Sequence, residues 1–254
     1  MKAIQYGSLF SGVGAFEEAL QDLGIPYNLV FFSEIDKYAI QSYCQAHDIG
    51  PERNLGDITK IKLEDLPIGL DLITYGFPCQ DISVAGKGKG FEHDGKQTRS
   101  GLFYNAMDVI EQTEPLIAIA ENVKNLVSKK FTEEFNIVLS SLELAGYDNK
   151  WQVLNSCDYG VPQNRERVFI VSLKGGDLAS NLFYFAESRP LHKCLSDILE
   201  DEVDEKYYLT RKQIEAILFS NYNVTKSSIH ERRGLCRTLC ARDYKGPKCV
   251  KLNG

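Results

Sequence analysis

Residues 4–24 read IQYGSLFSGVGAFEEALQDLG, and this stretch predicts a strand, a glycine-rich turn and a helix in direct succession. The predicted strand runs from 4 to 10, the turn contains Gly12 and Gly14, and the helix stops at Gly24. This order is typical of the opening of a βαβ unit, in which the turn lies at the carboxyl end of a parallel strand.

Further apolar runs alternate with helical patterns through about residue 175. The strand-like runs lie at 29–32, 70–75, 116–120, 152–154 and 168–173, and the helical patterns at 37–47, 101–112 and 132–145. Such alternation predicts the α/β class, with a doubly wound, mostly parallel sheet covered on both faces. Beyond this part an acidic stretch and a basic tail follow, so we predict one domain at 1–175 and a second region at 176–254.

The composition is that of an ordinary globular protein, with 43% hydrophobic and 25% charged residues in 254. It excludes disordered, collagen-like and coiled-coil chains. Seven scattered cysteines favour reduced thiols in a cytoplasm. The spacing of those at 236, 240 and 249 differs from that of zinc ribbons, so we expect no bound metal. No window contains the roughly 18–20 uninterrupted apolar residues of a membrane span, and we expect a cytoplasmic protein without membrane contact.

The charge is unevenly distributed along the chain. Residues 206–254 contain 11 Lys and Arg against 3 Asp and Glu, a net +8, whereas residues 1–205 contain 18 against 32, a net −14, and together they give −6. A basic tail is typical of a segment that binds a polyanion or of a solvated surface, and composition leaves both open.

The first turn and the acid after the second predicted strand form a candidate cofactor site. Glu34 lies 20 residues after Gly14, but position 17, where a dinucleotide fingerprint has its third glycine, is Glu17. Because a carboxylate beside the turn repels a pyrophosphate, the turn suits a ligand without a phosphate chain, such as S-adenosylmethionine. Glu34 would accept from its ribose and Asp57 from its adenine amino group. The alternative is that the glycines only make a tight turn and Glu34 caps the next helix.

A candidate nucleophile follows the buried run at 71–75. Cys79, in the sequence GFPCQ, lies just beyond the carboxyl end of that predicted strand. The long, glycine-rich and lysine-containing segment at 83–100 comes next, and structureless loops of this length are usually functional. The alternatives are a cysteine packed as a small apolar residue and a solvated loop.

A second acid and two arginines complete the candidate site. Glu121 ends the predicted strand at 116–120, and Arg165 and Arg167 precede the strand that begins at 168. Strand alternation places both arginines on the same side. An ion pair between Glu121 and one of them is the structural alternative.

Seven segments, in this order, resemble the DNA cytosine methyltransferases that modify carbon 5 of the base. They are SLFSGVGAFEEAL, SEIDKYAIQSY, GDI, GFPCQDISVAGKGKGF, RSGLF, ENVKNL and DYGVPQNRERVFIV, and they cover about residues 3–173. The resemblance implies the Rossmann-like, S-adenosylmethionine-dependent methyltransferase fold and makes 1–175 the catalytic domain. It also implies double-stranded DNA as the partner, S-adenosylhomocysteine as a product, and a prokaryotic or phage-encoded enzyme.

Residue by residue, the resemblance makes Cys79 the nucleophile that adds to carbon 6 of a flipped-out cytosine. Glu121 would contact ring nitrogen 3, and Arg165 the carbonyl oxygen of the ring. The cofactor contacts that it implies are Phe10, Ser11, Gly12, Gly14, Glu34, Ile35, Asp57, Ile58, Pro78 and Leu102. Further contacts with the substrate are expected from Gln80, Ser83 and Arg167, with the 83–100 loop closing over the base.

Family members continue to a motif of the RxxTxxExxRLxGFP type, which is not found after Val171. Because residues 237–248 resemble the start of the target-recognition region, we expect 176–254 to hold a connector and an incomplete recognition region. Three alternatives stay open: a DNA methyltransferase that is cut short or completed by a second chain, an RNA cytosine methyltransferase, and a non-catalytic module that binds nucleic acid or cofactor. Restriction-modification, phage protection and regulation would use the same residues.

Overall fold

The computed structural model describes residues 2–78, 91–93, 96–98, 100–175, 181–219, 229–239 and 249–251. The chain forms two compact units. The first combines Met1–Val153 with Arg167–Phe185, and the second combines Leu154–Glu166 with Ala186–Gly254. The sequence pattern gave no sign that 154–166 groups with the C-terminal residues. The assignment of a catalytic role to 1–175 and a recognition role to 176–254 remains a prediction.

Strands and helices alternate along most of the described chain. The strands are β1 (Ile4–Leu9), β2 (Tyr27–Ser33), β3 (Leu72–Tyr75), β4 (Glu92–His93), β5 (Lys96–Gln97), β6 (Ile117–Val123), β7 (Tyr147–Asn155), β8 (Gln163–Asn164), β9 (Glu166–Lys174), β10 (Ile229–Glu231), β11 (Cys236–Arg237) and β12 (Cys249–Lys251). The α-helices are α1 (Ala15–Asp22), α2 (Lys37–His47), α3 (Phe103–Thr113), α4 (Thr132–Leu144) and α5 (Arg211–Phe219). Within the described ranges, no helix is long and apolar enough to cross a bilayer.

A six-stranded sheet in the order β2-β1-β3-β6-β9-β7 is the centre of the fold. The pairs β1–β2, β1–β3 and β3–β6 are parallel, whereas β9 runs antiparallel to β6. The predicted doubly wound, mostly parallel α/β sheet is therefore confirmed. All four residues of β3 are buried, as expected for a central parallel strand with both faces covered.

Alternating side chains of the strands feed two separate apolar clusters, one on each face of the sheet. Phe31 and Ile73 pack in one cluster with Ile110 of α3, and their chain neighbours Phe32 and Leu72 pack in the other with Tyr43 of α2. Because successive strand residues point to opposite faces, the runs that looked continuously apolar in the sequence supply both cores.

Two details differ from the sequence-based expectation. The first strand ends at Leu9 rather than at residue 10, because Phe10 has a left-handed backbone with φ +53°. The segment at 83–100, expected to be a structureless loop, contains the antiparallel pair β4–β5 in its described part.

The second unit contains short strand pairs in its described part. Residues of β8 pair in parallel with β11, and β10 pairs in parallel with β12. Backbone bonds from Leu195 N to Gly234 O at 3.1 Å and from Ser196 N to Arg232 O at 2.8 Å hold its middle part together.

Candidate active site

The turn after β1 has left-handed backbone at three of its five residues. Phe10, Gly12 and Gly14 have φ values of +53°, +57° and +88°, and Gly14 N donates to Ser11 O at 3.0 Å. A Cβ on Gly14 would lie 2.1 Å from Nε2 of His47, whereas a Cβ on Gly12 would meet nothing within 4 Å. Gly14 is therefore required both by its φ and by its close neighbour, and Gly12 leaves open space on the side where a ligand is expected.

Glu34 joins this turn to the end of β2. Its Oε2 accepts from Gly12 N at 2.9 Å, and its Oε1 accepts from Ile35 N at 2.8 Å and Asp36 N at 2.9 Å. Asp36 in turn caps α2. A carboxylate offers about four acceptor positions, so one position remains on Oε2. The two sequence-based interpretations of Glu34 are thus compatible, because it braces the backbone and can still accept from a ligand hydroxyl.

Asn54 is a part of the site that the sequence reasoning missed. Its Oδ1 accepts from Glu34 N at 3.1 Å and Gly56 N at 3.0 Å, and its Nδ2 donates to Glu34 O at 3.0 Å. Ser33 Oγ also donates to Gly56 O at 2.7 Å. These bonds fasten the loop after β2 to the loop that carries Asp57. The only available signal was a side-chain amide three residues before that acid.

Asp57 and the expected apolar contacts differ in their exposure. Asp57 accepts from the hydroxyl and the backbone N–H of Thr59, and these hydrogen bonds hold the pKa of its carboxyl below the usual value. Ile35 is 75% exposed at the end of β2 and presents an apolar surface. Ile58 is buried in the core, which leaves its backbone as the part able to meet a ligand. Leu102 packs against the same core.

Glu17 does not act as the sequence suggested. It was expected to stand beside the turn and repel a pyrophosphate, but its side chain is 1% exposed. Its Oε1 accepts from Tyr6 Oη at 3.0 Å and Tyr43 Oη at 2.7 Å, inside the cluster formed with α2. Glu17 therefore gives no reason to exclude a phosphate chain from the turn, and the carboxylates at this edge of the sheet are those of Glu34 and Asp57.

Glu121, at the end of β6, forms the ion pair that the sequence left as an alternative. Its Oε1 lies 2.8 Å from Nε of Arg167, and the two side chains are 26% and 18% exposed. Its Oε2 lies on the side of Gly76, where a Cβ would be 3.8 Å away. The carboxylate is therefore next to the loop that begins the GFPCQ segment.

Three predicted site residues in or just after GFPCQ lie outside the described residues: Cys79, Gln80 and Ser83. Pro78 is half-buried at the described end of the loop. Arg165 belongs to the second unit, where its backbone N donates to Asn155 Oδ1 at 2.9 Å. The expected proximity of Arg165 to Glu121 remains a prediction.

Asn122 is a second residue that the sequence reasoning missed. Its side chain is 3% exposed, and its Nδ2 donates to Phe77 O at 3.1 Å. Phe77 itself packs against Phe91 and Phe103, with ring centroids 5.9 Å and 5.4 Å away. The peptide just before Pro78 is thus fixed from β6 by a hydrogen bond and by the aromatic contacts of Phe77 with Phe91 and with Phe103 of α3.

The sequence matches the family model of the C-5 cytosine-specific DNA methylases over residues 4–246. The chain belongs to this family. Among the relatives of this methylase chain are an orphan methyltransferase of Bacillus phage rho11s and a type II methyltransferase of Neisseria gonorrhoeae. The phage protein is 38% identical over 86% of this chain and 48% of its own length, and the Neisseria protein is 38% identical over 89% and 68%. Against the phage rho11s, SPR and SPbeta relatives, the chain spans 48%, 55% and 62% of their lengths.

Solved structures show the same methyltransferase fold. The crystal structure of the Schizosaccharomyces pombe Dnmt2 methyltransferase superposes with a TM-score of 0.70 at 19% identity, covering 99% of this chain and 77% of that one. A prophage-encoded DNA modification methyltransferase structure from Escherichia coli gives 0.57 at 24% identity, covering 80% and 57%. These likenesses, together with the sheet order, confirm the predicted Rossmann-like methyltransferase fold.

Proposed function

We propose that this chain carries the catalytic part of an enzyme that transfers a methyl group from S-adenosylmethionine to carbon 5 of a flipped-out cytosine in DNA. Membership of the C-5 cytosine-specific DNA methylase family, over residues 4–246, supports the reaction class. The observation that carries the proposal is the position of Glu121 beside Gly76, where an acid meets the segment that contains Cys79.

The carboxyl edge of the sheet fits S-adenosylmethionine. Glu34 keeps one acceptor position for a ribose hydroxyl, Gly12 leaves open space above the turn, and Ile35 offers an apolar surface for the adenine. Asp57, like any solvent-accessible aspartate, is ionised at neutral pH, and the hydrogen bonds from Thr59 lower its pKa further. It would therefore accept from the adenine amino group. When bound, the cofactor supplies an electrophilic methyl group and leaves as S-adenosylhomocysteine.

Cys79 makes the cytosine reactive. Carbon 5 is a poor nucleophile until the Cys79 thiolate adds to carbon 6, because that addition turns the ring into an enamine-like nucleophile. Carbon 5 then gains the methyl group, a base or water removes its proton, and the bond between carbon 6 and the Cys79 sulfur breaks to return the thiolate. The net change is one C–H bond replaced by one C–CH₃ bond, with one proton released.

Glu121 and the arginines stabilise the charge that develops on the ring. Oε1 of Glu121 pairs with Arg167, and Oε2 lies on the side of Gly76, where we expect ring nitrogen 3. Contact with nitrogen 3 requires a transiently protonated Glu121, so the proton is shared between this carboxyl and the ring during the addition. Arg165 would hold the carbonyl oxygen of the ring, and its positive charge would favour the Cys79 thiolate.

Transfer of a radiolabelled methyl group to unmethylated DNA tests the proposal, with duplex DNA and structured RNA as competing substrates. We expect label in DNA, no label with Cys79→Ser, and a strong reduction with Glu121→Gln. DNA that contains 5-fluorocytosine should trap the wild-type protein covalently, because the fluorine on carbon 5 cannot leave as a cation.

Full activity of Cys79→Ser would refute the mechanism, and preferential labelling of RNA would refute the DNA substrate. Binding of cofactor and DNA with no transfer in any substrate would favour the non-catalytic alternative. Because the chain spans about half of its phage relatives, the assay is run with the chain alone and with a separately expressed C-terminal region of such a relative.

A further inference from the structure

We propose that the buried Glu17 carboxylate is a positioning residue, which holds the glycine-rich turn in the place that the cofactor requires. The inference rests on the proposed function, because it assigns to Glu17 a task in cofactor binding. It goes beyond that function, since Glu17 is turned away from the ligand and no contact with the cofactor is assigned to it.

Glu17 connects helix α1 to three other elements. It is the third residue of α1, and its Oε1 accepts from Tyr6 on β1 and from Tyr43 on α2. The hydroxyl of Tyr6 also lies 2.6 Å from Oγ1 of Thr74 on β3. One carboxylate oxygen thus fixes the first turn of α1 against two strands and a helix.

The same face of α2 also holds the turn itself. His47 lies one helical turn after Tyr43, and its Nε2 is 3.1 Å from the carbonyl oxygen of Val13. The two rings are in contact, with centroids 5.0 Å apart. The turn and the first turn of α1 are therefore both fixed by α2, and a shift of α1 would move Gly12, whose N–H donates to Glu34.

Stability alone does not explain a carboxylate at this place. Glu17 is 1% exposed, and among the described residues no atom forms a hydrogen bond with its Oε2. Replacing a buried charge by a well-packed apolar side chain is often neutral or stabilising. Both phenols are protonated donors at neutral pH, and burial, with the negative charge of Glu17, raises their pKa values further. The acceptor oxygen of Glu17 therefore holds a defined geometry, in which the hydroxyls of Tyr6 and Tyr43 converge on one atom.

The experiment measures S-adenosylmethionine affinity by calorimetry, and the KM for the cofactor and kcat on DNA, in the full chain. Glu17→Leu removes the shared acceptor, and we expect the Kd and KM to rise by about tenfold or more, because two charge-assisted hydrogen bonds are lost. The kcat at saturating cofactor should change by less than about threefold, since an affinity defect is overcome by mass action. Glu17→Gln should restore a Kd close to that of the wild type, because its amide oxygen still accepts from both tyrosines.

Thr113→Val is the matched control, because Thr113 is fully buried and its hydroxyl donates within α3, to Val109 O at 2.8 Å, with no other side-chain bond among the described residues. It should lower the melting temperature and leave the Kd unchanged. If Glu17→Leu does not fold, Tyr43→Phe carries the test, since its ring keeps the stack on Phe32 at 4.3 Å and loses only the hydroxyl. It should raise the Kd by about threefold, which corresponds to one weakened contact.

Two results overturn the inference while leaving the proposed function standing. One is a wild-type Kd in Glu17→Leu and in Tyr43→Phe. The other is a rise in the Kd for S-adenosylmethionine that is proportional to the fall in melting temperature, with the same proportion in Glu17→Leu and in Thr113→Val. A wild-type chain with no affinity for S-adenosylmethionine would instead overturn the proposed function, and the inference with it.

Discussion

Replacing Gly14 by alanine should destabilise the fold far more than replacing Gly12, although both glycines lie in one turn with positive φ. The difference arises from His47. A Cβ on Gly14 would lie 2.1 Å from Nε2 of that histidine, whereas a Cβ on Gly12 would meet nothing within 4 Å. The pair therefore separates the cost of a left-handed backbone from the cost of a steric clash.

The magnitudes follow from the two contributions. A left-handed conformation costs an L-residue about 1–2 kcal/mol. Alanine also reduces the conformational entropy of the unfolded chain, which raises the free energy of unfolding by about 0.4–1 kcal/mol. Gly12→Ala should therefore lower the free energy of unfolding by about 1 kcal/mol. Gly14→Ala adds an overpacking cost of about 1–3 kcal/mol, because His47 must move and give up its bond to Val13 O. Its total of about 2–4 kcal/mol is smaller than the stability of a typical domain, about 5–15 kcal/mol, so the variant should still fold.

Urea denaturation of five proteins tests this difference: the wild type, Gly12→Ala, Gly14→Ala, His47→Ala and the double variant of Gly14 and His47. Once the imidazole is removed, Gly14→Ala should cost only as much as Gly12→Ala, which gives a coupling energy of about 1–3 kcal/mol. Equal costs for Gly12→Ala and Gly14→Ala in the wild-type background would refute the argument. So would a cost of Gly14→Ala that stays the same after His47 is removed.

Three further predictions concern residues at the same edge of the sheet. Asn54→Ala should weaken S-adenosylmethionine binding by about tenfold, because the two hydrogen bonds that join Asn54 to Glu34 across the cofactor loops are lost, together with the one to Gly56 within its own loop. Calorimetry beside an unchanged far-UV spectrum would show the weaker binding, and an unchanged Kd would contradict it. Asn122→Ala removes the hydrogen bond that holds the carbonyl of Phe77, and so loosens the segment that leads to Cys79. It should lower kcat on DNA with little change in the Kd for the cofactor, and a change in that Kd alone would contradict this role of Asn122. Burial raises the pKa of Tyr75, and such a group stabilises the fold fully below its unfolded pKa of about 10 and loses that contribution as the pH rises above it. Tyr75→Phe should therefore reduce the loss of stability between pH 10 and 11 in urea titrations, and an unchanged slope would contradict this origin.

The parallel sheet was predictable because its signals are local. The turn glycines, the apolar runs and the acids that end them each occupy a few consecutive residues, and the carboxyl ends of parallel strands meet at one edge. Glu34 and Glu121 were predicted as site residues in this way. The antiparallel direction of β9 was not predictable from its own residues, because an apolar strand has the same alternation in either direction.

The residues that were missed or misassigned act through contacts distant in sequence. Asn54 and Asn122 are short amides whose partners lie on other segments, and nothing in their neighbourhood marks them. Glu17 was assigned to the ligand side because a carboxylate beside a turn is usually solvated. Only Tyr6 and Tyr43, brought together by the folded chain, show that it is buried.

The connectivity of the two units restricts how such proteins can be recombined. The chain leaves the first unit after Val153, returns at Arg167 and leaves it again after Phe185. Within the second unit, Gln163 pairs with Cys236, and Asn164 with Arg237. A single crossover near 185 would therefore pair β8 of one protein with β11 of another. A chimera that keeps this pairing needs 154–166 and the segment after 185 exchanged together, by two linked replacements.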